Sequence, residues 1–465
     1  MGSKSTRIER DTMGAMEVPA EAYYGASTQR AVLNFPISGR PIPRTMIHAI
    51  GRIKWAAART NVELGLLDPV KGDAIARAAR EVAEGRLDGE FVVDLFQTGS
   101  GTSSNMNANE VIANRAAELL GGGRGARELV HPNDHVNLGQ SSNDVIPTAL
   151  HLGALLSIRD GLQPGLATLR AALDRKACEF WNVIKTGRTH LQDATPIRLG
   201  QEFQGYAAQV RRGQERIARA CDELCEVALG GTAVGTGINT HPAFARGVCR
   251  LLSEDTGFAI RETTDHFQAQ ATLDAVLAAS GAVRVVAVSL LKIANDIRLL
   301  ASGPRTGLGE LALPEVQPGS SIMPGKVNPV IAEALIQVCG QALGNDQAVV
   351  QAAEWSFFEL NTMLPLAGRN LIESIELLGT ASSTFADKCV AGICATPHGP
   401  EMVERGLAIV TGLAPLVGYD TAAAIAKKAA ATGRTVREVA REETDLTPEQ
   451  LDQALDPFRM TEPQP

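Results

Sequence analysis

Apolar residues return every third or fourth position over most of this chain, the spacing that lines up one face of an α-helix. The pattern predicts helices over 45–67, 70–85 and 105–120, then longer ones near 143–177, 198–229 and 268–302. Helices resume at about 329–352 and 366–390. After a break at Thr396-Pro-His-Gly-Pro, short polar helices follow at 421–431 and 448–455. Residues 1–45 carry Pro, Gly and aromatic punctuation without a period and read as an irregular segment. A run of about 30 residues makes a rod of roughly 45 Å. Over 273–300 the stripe through Val276, Val283, Val286, Leu290, Ala294 and Ile297 widens to most of the circumference. Such a helix needs neighbours on several sides, which a bundle shared between subunits supplies. The fold class expected is all-α.

Composition narrows the field. The chain has 465 residues, more than one small core holds. Apolar residues are 45% but aromatics only 4%, so Ala, Leu, Val and Ile fill the interior, favouring close-packed helices over a sandwich or barrel. A net charge of −8 argues against nucleic acid as partner, and an anionic substrate would need a local positive site. The seven cysteines, at 178, 221, 225, 249, 339, 389 and 394, are odd in number and scattered, as reduced thiols of a cytoplasmic protein are. Cys221 and Cys225 lie one helical turn apart, but no second pair completes a zinc set, and no iron–sulfur spacing occurs. The stretch from Met1 to Arg7 lacks the apolar core of a signal peptide, and Gly2 with Ser5 and Thr6 only touches on a myristoylation pattern. Asp274, Arg284, Lys292, Asp296 and Arg298 interrupt the longest apolar run and argue against a membrane span. A soluble protein is expected.

Polar clusters interrupt the helices. The densest is Gly319-Ser-Ser-Ile-Met-Pro-Gly-Lys-Val-Asn-Pro329, too rich in backbone breakers for helix or strand and therefore a loop. It is not a phosphate-binding loop, since five residues separate its glycines and Val327 follows Lys326. Its hydroxyls, ammonium and amide suit chemistry on an anion. Thr98 to Asn107 opens a helix with five hydroxyls, more than one cap requires, and helix starts attract carboxylates. His131-Pro-Asn-Asp134 and Gln140-Ser-Ser-Asn-Asp144 precede another helix, where Asn143 or Asp144 could serve as the cap. Gly187-Arg-Thr-His190 contributes a lone histidine, a residue more often structural than catalytic. Glu333 sits one turn into the helix after the loop. The glycine-rich stretch Gly230 to Asn239 lacks a predicted strand before it and reads as a tight connection between long helices rather than a dinucleotide fingerprint.

Taken in order, Ser100-Gly-Thr-Ser-Ser-Asn-Met-Asn-Ala-Asn-Glu110, His131–Asp134, Gln140–Asp144, Gly187-Arg-Thr-His-Leu-Gln-Asp193 and Gly319–Pro329 resemble the motifs of the fumarase/aspartase superfamily, from about Asp11 nearly to the end. Ser141-Ser142-Asn143 and Pro324-Gly325-Lys326 resemble class II fumarases, whereas aspartases typically have Ser-Thr-Asn and often Pro-Ala-Lys. The resemblance implies three domains: 1–140, mostly helical; 141–395, a long-helix bundle with the signature loop 317–329; and 396–465, small and helical. It further implies a homotetramer whose active sites are each shared among three subunits.

The activity implied is reversible anti addition of water to fumarate, giving (S)-malate, without metal or organic cofactor. Ser320 would be the base that takes the C3 proton, and His190, oriented by Glu333, would handle the leaving hydroxyl through a water. Lys326 and Asn328 would grip a carboxylate, with Val327 between them. Ser100, Gly101, Thr102, Ser141, Ser142, Asn143, Thr189 and Ser321 would complete the substrate site. His131, Pro132, Asn133 and Asp134 resemble a secondary carboxylate site. Aspartate ammonia-lyase is the alternative, and a non-catalytic crystallin-like member a remote one.

Overall fold

The structure, a computed structural model, describes residues 5–463. The first four residues, Gly2 among them, lie outside the described residues, so the signal-peptide and myristoylation readings rest on sequence alone. The segment read as irregular is in fact ordered. A hairpin pairs β1 (Thr6–Asp11) with antiparallel β2 (Gly14–Pro19), and α1 (Ala26–Asn34) follows. The hairpin escaped a hydrophobic reading because polar atoms hold it. The Arg7 guanidinium donates to the carbonyls of Pro19, Ala20, Ala22 and Tyr24, at 2.7–2.9 Å.

Helices then dominate, as expected: α2 (Arg44–Glu63), α3 (Pro69–Ala83), α4 (Thr102–Leu119), α5 (Ser142–Ser157) and α6 (Gln163–Glu179). The run predicted over 143–177 is α5 and α6 joined by a π-helical turn at Ile158–Leu162. Next come the hairpin β3 (Ile184–Thr189) and β4 (Gln192–Arg198), α7 (Leu199–Leu224), β5 (Glu226–Val227), α8 (Phe244–Thr256) and β6 (Arg261–Glu262). The run at 268–302 breaks into α9 (His266–Ala271) and α10 (Asp274–Leu300), before α11 (Val330–Ala353) and α12 (Leu364–Lys388). A strand does precede the glycine-rich stretch, against expectation. It is two residues long and pairs in parallel only with β6, so it forms no nucleotide-binding sheet. Every sheet among the described residues is two-stranded, and the class is all-α.

The chain divides into two compact units: Met1–Gln163, Gly213–Ala287 and Gly340–Gly379; and Pro164–Arg212, Val288–Cys339 and Thr380–Pro465. These boundaries differ from the contiguous division at 140 and 395, because they fall inside α7, α10, α11 and α12. In the first unit α2 is the hub. Its stripe of Ile47, Ile50, Ile53 and Ala57 is fully buried, and α3, α5 and α8 pack around it. In the second unit the C-terminal segment closes a small core of its own around Ile409, Leu413, Ile425, Val439 and Leu451. All seven cysteines are unbridged. Burial pushes the Cys221 thiol up to about 11 and Cys389 up to about 12, which keeps both protonated.

Candidate active site

In the first unit the starts of α4 and α5 carry a chain of hydroxyls. Ser100 Oγ lies 2.7 Å from Thr102 Oγ1, which lies 2.7 Å from Ser142 Oγ. Two helix starts therefore offer backbone N–H groups and hydroxyls together, an arrangement suited to a carboxylate. Gly101 makes the first turn possible. Its φ is +72°, and a Cβ there would meet Ile146 Cγ2 at 2.7 Å. Ser141 caps α5 through a reciprocal box with Asp144, and Asn143 Nδ2 donates to the Ala233 carbonyl at 2.8 Å.

Asp144 does more than cap. Fully buried, it also accepts from Gly230 N at 3.1 Å and Thr232 N at 3.0 Å, so one carboxylate ties the α5 start to the glycine-rich turn. Burial pushes its carboxyl above the usual range, opposed by those N–H donors and by Lys54. Sequence reasoning missed Lys54 and Asn137 altogether. Lys54 Nζ donates to Asn137 Oδ1 at 2.8 Å, and Asn137 Nδ2 donates to the Gln140 carbonyl at 3.1 Å. A signal was available: Lys54 falls on the stripe that otherwise reads Ile47, Ile50, Ala57.

His131 begins a π-helical turn, Pro132–Val136. Its Nδ1 accepts from the backbone N–H of Asn133 (3.3 Å) and Asp134 (3.1 Å), so the ring proton belongs on Nε2, facing away from that turn. The Asp134 carboxylate lies 3.2 Å from the same Nδ1. His135 is held below the usual imidazole range, chiefly by burial.

The second unit carries the other motifs. Thr189 and Gln192 face each other across β3 and β4, and His190 and Leu191 form the two-residue turn between them, with φ of 56° and 60°. His190 is thus presented at an exposed tip. Below the tip the register shifts between Thr186 and Arg188, at Gly187, where a Cβ would meet the Thr195 carbonyl at 2.6 Å. Arg188 Nη2 then donates to Glu310 Oε1 at 2.5 Å. Lys185, also buried, sits 3.2 Å from Glu310 Oε2 and 3.4 Å from Glu202, close in charge but off the angle of a hydrogen bond. Burial raises Glu202 above the usual range.

The loop from Gly319 is closed on itself. Gly319 N donates to Lys326 O at 2.9 Å, and Asn328 Nδ2 donates to Gly319 O at 2.8 Å. Within it Ser320 Oγ accepts from the N–H of Ile322 at 3.3 Å and of Met323 at 3.1 Å. Ser321, Lys326 and Val327 are exposed, and Lys326 enters no ion pair among the described residues. Glu333 lies in the first turn of α11, and among the described residues no hydrogen bond joins it to His190. Asn328 is committed in part to the loop itself, a role its sequence position did not reveal.

The helical fold carries hydroxyl-lined helix starts in one unit and a self-closed Ser/Lys loop in the other, and the family it matches is that of the lyases. Residues 14–344 match the lyase family and residues 409–462 the family described as fumarase C C-terminus. The class II fumarate hydratase of Halobacterium salinarum is 55% identical over 460 residues, covering 99% of this chain and 98% of that protein. That of Methylorubrum extorquens is 51% identical over 462 residues, covering 99% and 98%. The class II fumarase structure from Schistosoma mansoni superposes with a TM-score of 0.96 at 41% identity, covering 98% of this chain and 99% of that one. A fumarate lyase:delta crystallin structure from Brucella melitensis gives 0.95 at 48% identity, covering 99% and 100%. The chain belongs to the class II fumarate hydratases.

Proposed function

We propose that this protein interconverts fumarate and (S)-malate by anti addition and removal of water. The observation that carries the reading is Ser320, whose Oγ accepts two backbone N–H bonds inside a loop that also holds the exposed ammonium of Lys326. A serine hydroxyl is a poor base. Two N–H donors favour its ionised form, and the Lys326 ammonium would favour it further once brought close. Removing the C3 proton of malate puts a second negative charge on the neighbouring carboxylate, so the site must bind the aci-carboxylate better than the substrate. Lys326 and Asn328 take that charge, with Ser321 and Val327 beside them. The hydroxyls of Ser100, Thr102, Ser141, Ser142 and Thr189 hold the dicarboxylate with Asn143 and the turn at Gly101. His190 protonates the departing hydroxyl through a water, and Glu333 orients it. His131, Pro132, Asn133 and Asp134 form a secondary carboxylate site.

We further propose that the enzyme is a cytoplasmic homotetramer acting in the tricarboxylic acid cycle, and that three protomers contribute to each active site. Glu333 then reaches His190 from another protomer. The self-contained core around Ile409 and Val439 supports a separate C-terminal domain. The test is fumarate absorbance with malate and aspartate supplied separately. Fumarate from malate alone is expected, whereas release from aspartate alone would reassign the enzyme as an ammonia-lyase.

A further inference from the structure

Lys54 is fully buried on α2, and the hydrogen-bond partner of its ammonium is a neutral amide, Asn137 Oδ1 at 2.8 Å. The same oxygen accepts from Asn105 Nδ2 at 3.2 Å, and Asn105 belongs to α4, two residues beyond Ser103. On its other side Asn137 donates to the Gln140 carbonyl, the residue before the Ser141 cap of α5. Lys54 is therefore one amide removed from both helix starts that carry Ser100, Thr102 and Ser142. Burying an ammonium against an amide is costly, and a methionine of similar length would fill the same space without that cost. Holding the charge there calls for a role that needs charge.

We infer that Lys54 is a positioning residue for dicarboxylate capture, its ammonium fixing the Ser141–Asn143 helix start through Asn137 and adding positive charge behind it. This rests on the dicarboxylate reading of that site. Asp144 on α5 is the carboxylate that faces the ammonium. Other titratable groups of the elements packed on α2 have their own partners: Asp255 of α8 with Arg52 and Arg80, Arg250 of α8 with Glu63 and Glu254, Glu81 of α3 with Arg115 of α4, Glu110 of α4 with the backbone of Gly25, Ser27 and Thr28, and His151 of α5 with the Glu226 carbonyl. His135 of the π-helical turn feels Lys71, Asp134 and His131. Burial pulls the Lys54 ammonium down to about 7, with Asp144 opposing. The charge is present below that value and lost above it, so dicarboxylate affinity falls as pH rises through neutrality.

The test uses succinate, a C4 dicarboxylate with no group to eliminate, titrated calorimetrically into the assembled wild type, Lys54→Met and Asn137→Asp between about pH 5.5 and 9. Wild-type affinity is expected to fall about tenfold across neutrality, the scale of one lost charge contact. Lys54→Met is expected to bind about tenfold more weakly at low pH, to show no inflection, and to melt no lower than wild type. Asn137→Asp places a carboxylate against the ammonium, and its inflection is expected to move to higher pH. Lys54→Met with wild-type affinity at low pH, or an inflection unmoved by Asn137→Asp, would overturn the inference. Should Lys54→Met fail to assemble, the direction of the Asn137→Asp shift decides alone. Wild type that binds no succinate at any pH would overturn the dicarboxylate reading itself, and this inference with it.

Discussion

In the function proposed above, Ser320 concentrates the chemistry in one atom. Its Oγ does not stand free: two loop N–H groups point at it, and the Lys326 ammonium belongs to the same closed loop. Replacing it by alanine removes the base while leaving the hydroxyl chain from Ser100 to Ser142 intact. Ser320→Ala is expected to lower kcat by about 10²- to 10⁴-fold with KM for malate changed only a few-fold. Steady-state kinetics with kcat within about threefold of wild type would remove Ser320 from its role. The loop that carries this candidate was legible in the sequence because backbone breakers and polar groups crowd within it. Lys54 left only a faint signal, since one charge on an apolar stripe looks like ordinary helix surface until the stripe is known to be buried. Asn328 has a second role that its position did not reveal: its Nδ2 closes the loop on Gly319.

At the scale of elements, helices were read well and strands poorly, for one reason. A helix stripe repeats over several turns, whereas the strands here are short pairs fixed by polar atoms or turns rather than by alternating apolar faces. The β3–β4 hairpin shows the consequence. His190 owes its place to a two-residue left-handed turn, and the strand beneath is anchored by the buried carboxylate of Glu310 between Arg188 and Lys185. Glu310→Ala would leave Arg188 without its hydrogen-bonded carboxylate and Lys185 with Glu202 alone, and a loss of roughly 3 kcal/mol is expected. The check is calorimetric melting at fixed protein concentration, together with kcat, since the tip that carries His190 loosens as well. An unchanged Tm would show that the anchor lies elsewhere. The N-terminal hairpin gives a pH test. Arg30 donates twice to Asp11, at 2.9 Å, and holds its carboxyl below the usual range. A depressed carboxyl stabilises the fold above its unfolded value and loses that contribution as pH falls through the folded one. Asp11→Asn is therefore expected to lower hydrogen-exchange protection of β1 and β2 at neutral pH, with the difference closing in acid. A difference that persists once the wild-type Asp11 carboxyl is protonated would assign the effect to packing.

At the scale of the whole molecule, α10 decides what the chain must do with its apolar surface. The helix has a mean hydropathy of 1.9 over its most apolar window, and only 44% of that window is buried within one chain. Val285, Val288 and Leu299 are 37%, 50% and 44% exposed. By length and composition such a helix could cross a bilayer, but its charges argue otherwise. Arg284 Nη1 donates to Asp346 Oδ2 at 2.8 Å, Ser280 bonds the same carboxylate, and Lys292 pairs with Asp296, so polar groups recur along the rod. Exposed valine and leucine between paired charges suit the core of an assembly, where each protomer covers the stripe of its neighbour. Val288→Asp puts an unpaired carboxylate into that stripe. If each site draws on three protomers of a tetramer, as proposed above, the substitution is expected to shift the protein to smaller species in sedimentation and to reduce malate turnover in step with dissociation. Raising protein concentration should then restore both together. Turnover undiminished in a dissociated Val288→Asp protein would mean that one chain holds a complete site, and the shared-site reading would fall while the chemistry assigned to Ser320 would stand.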